Sequence, residues 1–194
     1  MPAPDQIAKA FPHEPTAQQN ELFARLHQFL LSDNGDECFI LKGYAGTGKT
    51  TVIGALVKAL RYYNYKSVLL APTGRAAKVI SAYSGRKAFT IHKRIYRKRS
   101  AINIDDPFKL AENLSSDTLF IVDEASMIPD EVPGGNRDAL LHDLVNYVYN
   151  TKNCKLVLVG DTAQLPPVGA DYSPALDFNL LKKTFALDIF SFEL

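Results

Sequence analysis

The segment Gly43-Tyr44-Ala45-Gly46-Thr47-Gly48-Lys49-Thr50 satisfies the phosphate-loop pattern G-x-x-x-x-G-K-[ST] at every fixed position. Such a loop has to join the end of a buried strand to the start of a helix, so it constrains everything around it to an α/β arrangement. Both flanks are present. Cys38 to Lys42 (C-F-I-L-K) is a short apolar run that predicts a buried strand, and Thr51 to Arg61 predicts a helix with one apolar face.

Residue types in the loop follow from the ligand it can hold. Backbone N–H groups of Gly46, Thr47, Gly48 and Lys49 converge on phosphate oxygens only where side chains stay out of the way. The helix that begins at Lys49 adds the positive end of its dipole, and the Lys49 ammonium reaches the β- and γ-phosphates. The Thr50 hydroxyl can ligate Mg²⁺. The candidate nucleotide-contacting set is Gly43, Ala45, Gly46, Thr47, Gly48, Lys49, Thr50 and Thr51, with a nucleoside triphosphate and Mg²⁺ as the expected ligands.

A chain of 194 residues with 46% apolar and 22% charged residues has material for one well-buried domain of this kind and no room for a second of full size. The net charge of +1 means that any affinity for nucleic acid has to come from a local patch. Cys38 and Cys154 both fall at the starts of predicted buried strands, where a reduced thiol packs as a small apolar group, and a cytoplasmic setting is expected. No apolar run approaches a membrane span, so no membrane partner is expected.

Residues 1–15 hold Pro2, Pro4, Pro12 and Pro15 and are expected to be an extended lead-in, with order starting near Phe11. Thr16 suits the N-cap of a helix through about Leu31, because Leu22, Phe23, Leu26, Phe29 and Leu30 recur at helical spacing. Further buried strands are predicted at Ser67 to Ala71, Thr118 to Val122 and Lys155 to Val159. Helices are predicted from about Arg75 to Ala82 and from Asn136 to Tyr149, the latter on its stripe of Leu140, Leu141, Leu144, Val145 and Val148. Strands alternating with helices imply a parallel sheet covered on both faces, with ligands at the carboxyl ends of the strands.

Two more candidate elements fall at such ends. The strand at Thr118 to Val122 runs into Asp123-Glu124-Ala125-Ser126, an apolar run followed by two acids. Asp123 would hold Mg²⁺, directly or through water, and Glu124 would polarise the attacking water. The strand at Lys155 to Val159 ends in Gly160-Asp161-Thr162-Ala163-Gln164-Leu165-Pro166-Pro167-Val168-Gly169. Gln164 carries both a donor and an acceptor, suited to touching a γ-phosphate or the attacking water and to sensing whether phosphate is present. The catalytic set is Lys49, Asp123, Glu124 and Gln164, and the metal set Thr50 and Asp123.

Taken together these segments resemble the RecD-like, Dda-like branch of superfamily 1 (1B) DNA helicases. Gly43 to Thr50 resembles helicase motif I, Ala71-Pro72-Thr73-Gly74-Arg75-Ala76-Ala77 motif Ia, and Thr90-Ile91-His92 the short motif that follows it. Asp123 to Ser126 with Met127 is similar to motif II and Gly160 to Val168 to motif III. Thr16-Ala17-Gln18-Gln19 is similar to the adenine-recognising Q motif, with Gln19 reading the base. Tyr44 departs from the family by standing where small residues are common.

The resemblance implies a P-loop NTPase with a RecA-like parallel sheet over residues 16–194, the N-terminal (1A) ATPase domain of a 5′-to-3′ helicase. It implies single-stranded DNA as partner, with Pro72, Thr73, Gly74, Arg75, Thr90 and His92 among the contacts, and a small β-hairpin insertion over 98–117 with Phe108 at its apolar tip. Core packing accounts for a lone Phe equally well. The family places a second RecA-like domain after motif III, carrying an arginine that completes the ATP site. That domain is absent from this sequence, so the fragment is expected to be weakly active alone.

Lys93, Arg94, Arg97, Lys98 and Arg99 place five cations in seven residues around Tyr96 on a chain that is otherwise near neutral. Such a run can track phosphates, or can simply be a solvated face. Lys93 and Arg94 directly follow Thr90-Ile91-His92, which favours the first. The leading reading is an ATP-dependent DNA helicase motor domain. A nucleotide-dependent DNA-binding module that is not a helicase is the alternative. A small-molecule kinase is disfavoured because the Asp161 to Pro167 run has no role in one.

Overall fold

The fold is that of a computed structural model, which describes residues 2–98, 108–129, 140–161, 163–164, 167 and 172–194. Among these, six strands form one parallel sheet in the order β3-β2-β6-β7-β1-β8. Its strands are β1 (Glu37–Lys42), β2 (Lys66–Ala71), β3 (Ala88–Thr90), β6 (Thr118–Val122), β7 (Cys154–Gly160) and β8 (Asp188–Glu193). A separate antiparallel pair joins β4 (Tyr96–Lys98) to β5 (Phe108–Leu110), with Arg97 opposite Lys109.

Alternation along the central strands explains why both faces of the sheet are covered. Phe39 and Leu41 of β1 join one core with Leu119, Ile121, Val157 and Val159. Cys38 and Ile40 join the other with Phe120, Val122, Leu156 and Leu158. A strand buried on both sides has to be apolar at every position, which is why these segments read as continuous hydrophobic runs. The first layer is built from α1 (Gln6–Ala10), α2 (Ala17–Leu31), α3 (Lys49–Ala59) and α4 (Gly74–Ser84), and the second from α5 (Ile91–Ile95), α6 (Leu140–Tyr149) and α7 (Phe178–Phe185). Both cysteines are buried free thiols.

The predicted strands and helices lie where expected, with ends displaced by one or two residues. The helix after the phosphate loop starts at Lys49 and tightens after Ala59 into a 3-10 turn over Leu60–Tyr63. Thr16 is the N-cap of α2, in a reciprocal capping box with Gln19. For the helix expected over 136–149, residues up to 139 lie outside the described residues, as do 99–107 of the hairpin insertion and Thr162, Leu165, Pro166 and 168–171 of the run after β7.

The extended lead-in is corrected by α1. Pro2 and Pro4 precede this helix and Pro12 and Pro15 follow it, so no proline occupies a position that needs an N–H. Ile7 is fully buried, and the Phe11 ring packs tilted against Phe23 of α2 with centroids 5.4 Å apart. Apolar anchoring therefore orders the segment that the prolines only bracket.

Candidate active site

β1, β7 and β6 are consecutive in the sheet, so the three segments that carry candidate chemistry leave it side by side. From β1 the chain turns through Gly46 and Gly48, with φ of 84° and 89°. Gly48 is the N-cap of α3 in the left-handed region, where a side chain would add strain just where the backbone has to present its N–H groups. Lys49 projects into this turn and its Nζ donates to the Gly43 and Tyr44 carbonyls at 2.6 and 2.7 Å. An ammonium has three N–H bonds, so one remains to meet an anion. Thr47 Oγ1 donates to the same Tyr44 carbonyl at 2.9 Å. Ala45, Thr50 and Thr51 complete the turn and first helical residues, and Tyr44 stands 57% exposed beside them.

Gln19 packs against this loop: a Cβ on Gly48 would stand 3.3 Å from Gln19 Nε2. Its Oε1 is occupied, accepting from the Thr16 N–H at 3.0 Å. The amide end is what Gln19 has left to offer a ligand. Gln18 donates to the Glu193 carbonyl at 2.9 Å and so fastens α2 to β8.

Asp123 ends β6 almost fully buried, and its carboxyl is pushed up to about 6. Burial is the main cause and the neighbouring Glu124 charge the second, while the Glu124 backbone N–H and then Lys49 oppose both. Glu124 follows in the left-handed region, φ 55° and ψ 36°, with its N–H donating to Asp123 Oδ1 at 3.0 Å. A non-glycine residue pays about 1 kcal/mol to sit there, and such strain concentrates at functional positions. The turn that follows, Ala125–Met127, carries Ser126, whose Oγ donates to Gln164 Oε1 at 3.2 Å. Among the described residues nothing accepts from the Gln164 NH₂, which is left to donate. Asp161 is buried and accepts from the Ala163 N–H at 2.8 Å, shaping the turn at the strand end.

Backbone approaches backbone where these segments meet. A Cβ on Gly160 would lie 3.1 Å from the Ser126 nitrogen and 2.7 Å from Leu176 Cδ1. Among the described residues no cluster of three or more His, Cys, Asp and Glu stands together. The oxygen donors present, the Thr50 hydroxyl and the Asp123 carboxylate, suit Mg²⁺ carried in with nucleotide phosphates and not a site that holds a metal by protein alone. No helix among the described residues is long and apolar enough to cross a membrane.

At the outer edge of the sheet, Thr73 caps α4 by accepting from Ala76 N–H, and Thr90 caps α5 by accepting from Lys93 N–H, both at 3.2 Å. Pro72 and Gly74 adjoin the first cap, with Arg75 exposed beyond it. Between α4 and β3 lies a groove of about 230 Å³ lined by Gly74, Lys78, Lys87, Thr90 and Lys93. His92 and Lys93 are exposed, whereas Arg94 is half-buried and its Nη2 donates to Ser115 Oγ at 3.0 Å. Lys78 and Lys87 were not distinguished in the sequence, since only the packing of α4 on β3 brings them to Lys93.

Residues 16–177 match the AAA domain family. The chain is 34% identical over 136 residues to the ATP-dependent RecD2 DNA helicase of Deinococcus radiodurans, a match that covers 70% of this chain and 17% of that protein. It is 33% identical over 132 residues to the ATP-dependent DNA helicase dda of Enterobacteria phage T4, covering 66% of this chain and 28% of that one. The chain thus spans less than a third of the length of these relatives. Among solved structures, the HK97 bacteriophage large terminase superposes with a TM-score of 0.59 at 12% identity, over 98% of this chain and 43% of that one. At that identity the likeness is one of fold.

Proposed function

Since this chain belongs to the AAA domain family, in its RecD-like and Dda-like branch, we propose that it is the ATP-hydrolysing motor domain of a 5′-to-3′ DNA helicase. The observation that carries the proposal is the convergence of Lys49, Asp123 with Glu124, and the Ser126–Gln164 pair at three adjacent strand ends. Strand ends of this sort are where open α/β sheets hold their ligands.

In this reading the N–H groups from Gly46 to Lys49 cradle the phosphates, and Lys49 turns its remaining N–H to them. Thr50 and Asp123 would hold Mg²⁺, which when bound neutralises charge developing on the phosphate oxygens. A carboxylate pushed toward protonation by burial gains from such a neighbour, which supports Asp123 in that role. Glu124 accepts a proton from the attacking water. Gln164, its carbonyl held by Ser126, donates its NH₂ to the γ-phosphate or to that water. Gln19 meets the adenine edge with the NH₂ group that its capping bond leaves free. Single-stranded DNA lies in the groove between α4 and β3, over Pro72, Thr73, Gly74, Arg75, Thr90, His92 and Lys93, with Lys78 and Lys87 as added phosphate contacts. The β4–β5 pair would be the stem of the duplex-splitting hairpin, where Arg97 opposite Lys109 is a like-charge pair that a phosphate relieves. A cytoplasmic setting is part of the same reading.

A second RecA-like domain would supply the arginine facing Lys49, an effect worth roughly a thousandfold or more in rate. The isolated chain should therefore bind Mg²⁺-ATP, hydrolyse it slowly and unwind nothing. Calorimetry with a non-hydrolysable ATP analogue on wild type and Lys49→Ala tests the site: undiminished affinity in the variant refutes it. Phosphate release with and without single-stranded DNA, beside a strand-displacement assay on the chain joined to its second domain, tests the motor. DNA binding that depends on nucleotide but comes without unwinding would instead favour a non-helicase binding module.

A further inference from the structure

A trough of about 780 Å³ opens on the side of the molecule away from the phosphate loop, between α1, the end of α3 with its 3-10 turn, the start of β2 and the loop before β3. Lys66 and Ser67 line it at the amino end of β2, while the nucleotide groups stand at the carboxyl ends of a parallel sheet. Six residues at about 3.3 Å each separate those ends by about 20 Å, so this is not part of the ATP site.

Its charge is one-sided. Lys58, Arg61, Lys66 and Arg86 reach it from four separate elements, and no acidic residue lines it. Lys9 also faces it but is paired with Asp5 at 2.7 Å, and among the described residues none of the other four lies within ion-pair distance of a carboxylate. On a chain of net charge +1, four uncompensated cations around a concavity concentrate positive potential where the rest of the surface has little. The apolar residues beneath, Val57 and Leu60, are buried, so the trough offers no pocket for an apolar anchor. It does offer an aromatic one. Tyr62 is 45% exposed, with the Arg61 guanidinium 4.7 Å from its ring centroid. A base can stack on such a face, and phosphates can follow the cations.

The trough also continues a surface already described. Arg86 lines it, and the next residue, Lys87, lines the groove between α4 and β3. An extended polyanion can follow both, from Gly74 and Thr90 at one end of α4 past the Arg86-Lys87 step. A compact anion cannot, and an acidic protein segment would leave the Tyr62–Arg61 face unused. We propose that the trough is a second binding stretch for single-stranded nucleic acid, prolonging the α4–β3 groove around the edge of the sheet at β3. The inference rests on the reading of that groove as a DNA site.

The test uses the whole chain and fluorescein-labelled oligothymidylates of about 8 and about 25 nucleotides, read by anisotropy across a salt series. Replacing Lys58, Lys66 and Arg86 by Gln, three exposed positions, should lower the salt slope for the long oligonucleotide by about two and its affinity at least ~10-fold. The short oligonucleotide, which the groove alone can hold, should bind as before. Lys78→Gln with Lys93→Gln should weaken both. In the wild-type chain, photocrosslinking with 5-iodouracil should mark Tyr62, a readout that needs no variant and decides the matter if the triple variant melts early. An unchanged slope and length dependence with no crosslink at Tyr62 overturns the trough alone. Absence of binding to either oligonucleotide overturns the groove reading as well. A polyglutamate peptide that binds wild type but not the triple variant, while the long oligonucleotide does not distinguish them, makes the trough a protein-docking site and refutes the proposal.

Discussion

Lys155 and Glu37 form a buried ion pair between neighbouring strands, at the end of the sheet opposite the phosphate loop. The pair does more than join β1 to β7. Lys155 Nζ also donates to the carbonyls of Phe29 and Ser32, both at 2.6 Å, and so closes the C-terminal end of α2 with a charge of the sign that the helix dipole favours. Glu37 is fully buried and its Oε1 has no partner among the described residues.

Removing the ammonium should therefore cost more than removing the carboxylate. Lys155→Met strands a buried charge and two helix carbonyls, a loss of about 3 kcal/mol or more, while Glu37→Gln keeps an acceptor for Lys155 and should cost less. Urea melts of both, and of Lys155→Met with Glu37→Leu, give the coupling. The double variant should recover part of the loss, and nucleotide affinity should not change in any of the three.

Asp123 should make the nucleotide-free protein less stable as pH rises. An unfolded aspartate titrates near 3.9 and the folded one at about 6. Between those values the folded state holds a proton that the unfolded state has lost, so stability falls from about pH 4 to about pH 6 and then levels. Asp123→Asn should be more stable than wild type at pH 7 by about 2–3 kcal/mol and equally stable near pH 4. Melts in chelator and without nucleotide measure this. A higher wild-type stability at pH 7 would contradict the burial argument.

Because Ser126 Oγ is engaged with Gln164, its effect on hydrolysis should run through Gln164 and not through nucleotide contact. Ser126→Ala removes one hydrogen bond, and single-turnover hydrolysis should slow about 5-fold with nucleotide affinity unchanged. Gln164→Ala should slow it more, and the double variant should be no slower than Gln164→Ala. Additive losses would mean that Ser126 serves the site in some other way.

Lys93 and Arg94, neighbours in one basic run, should behave differently. Lys93→Ala should weaken oligonucleotide binding and lower its salt slope by about 0.7 while leaving the melting temperature alone. Arg94→Ala should lower the melting temperature first, because the guanidinium is half-buried against Ser115. Thermal melts beside salt-series anisotropy separate the two. Replacing all five cations from Lys93 to Arg99 would blur them.

What the sequence made legible was what is contiguous. The strand, loop and helix around Lys49 depend on one another within some twenty residues, and the continuous apolar runs of β1, β6 and β7 follow from burial on both faces. Thr16 was readable as a cap because it stands just ahead of the helical stripe of Leu22 to Leu30; the capping box with Gln19 came only with the structure. The pattern fails where order comes from distant contacts. α1 is only five residues long, and is held by Ile7 and Phe11 against α2 and α3. β3 is three half-buried residues at an edge, and β8 mixes exposed and half-buried positions, so neither shows a continuous buried apolar run. Lys78 and Lys87 were invisible for the same reason: two lone lysines become a pair only across α4 and β3.

The contact at Gly160 makes two motifs into one mechanical part. With the Ser126 backbone and the Leu176 side chain both crowding the space that a Cβ on that glycine would take, little slack separates the strand end from the turn after Glu124. A displacement of the 3-10 turn at Pro174–Leu176 would then be passed through Gly160 to Ser126, and from Ser126 to the amide of Gln164. Force applied ten to twelve residues past Gln164 in the sequence would, in the proposed reading, retract that amide from a phosphate, so the same linkage that would report the nucleotide outward could also be driven backward, as a brake.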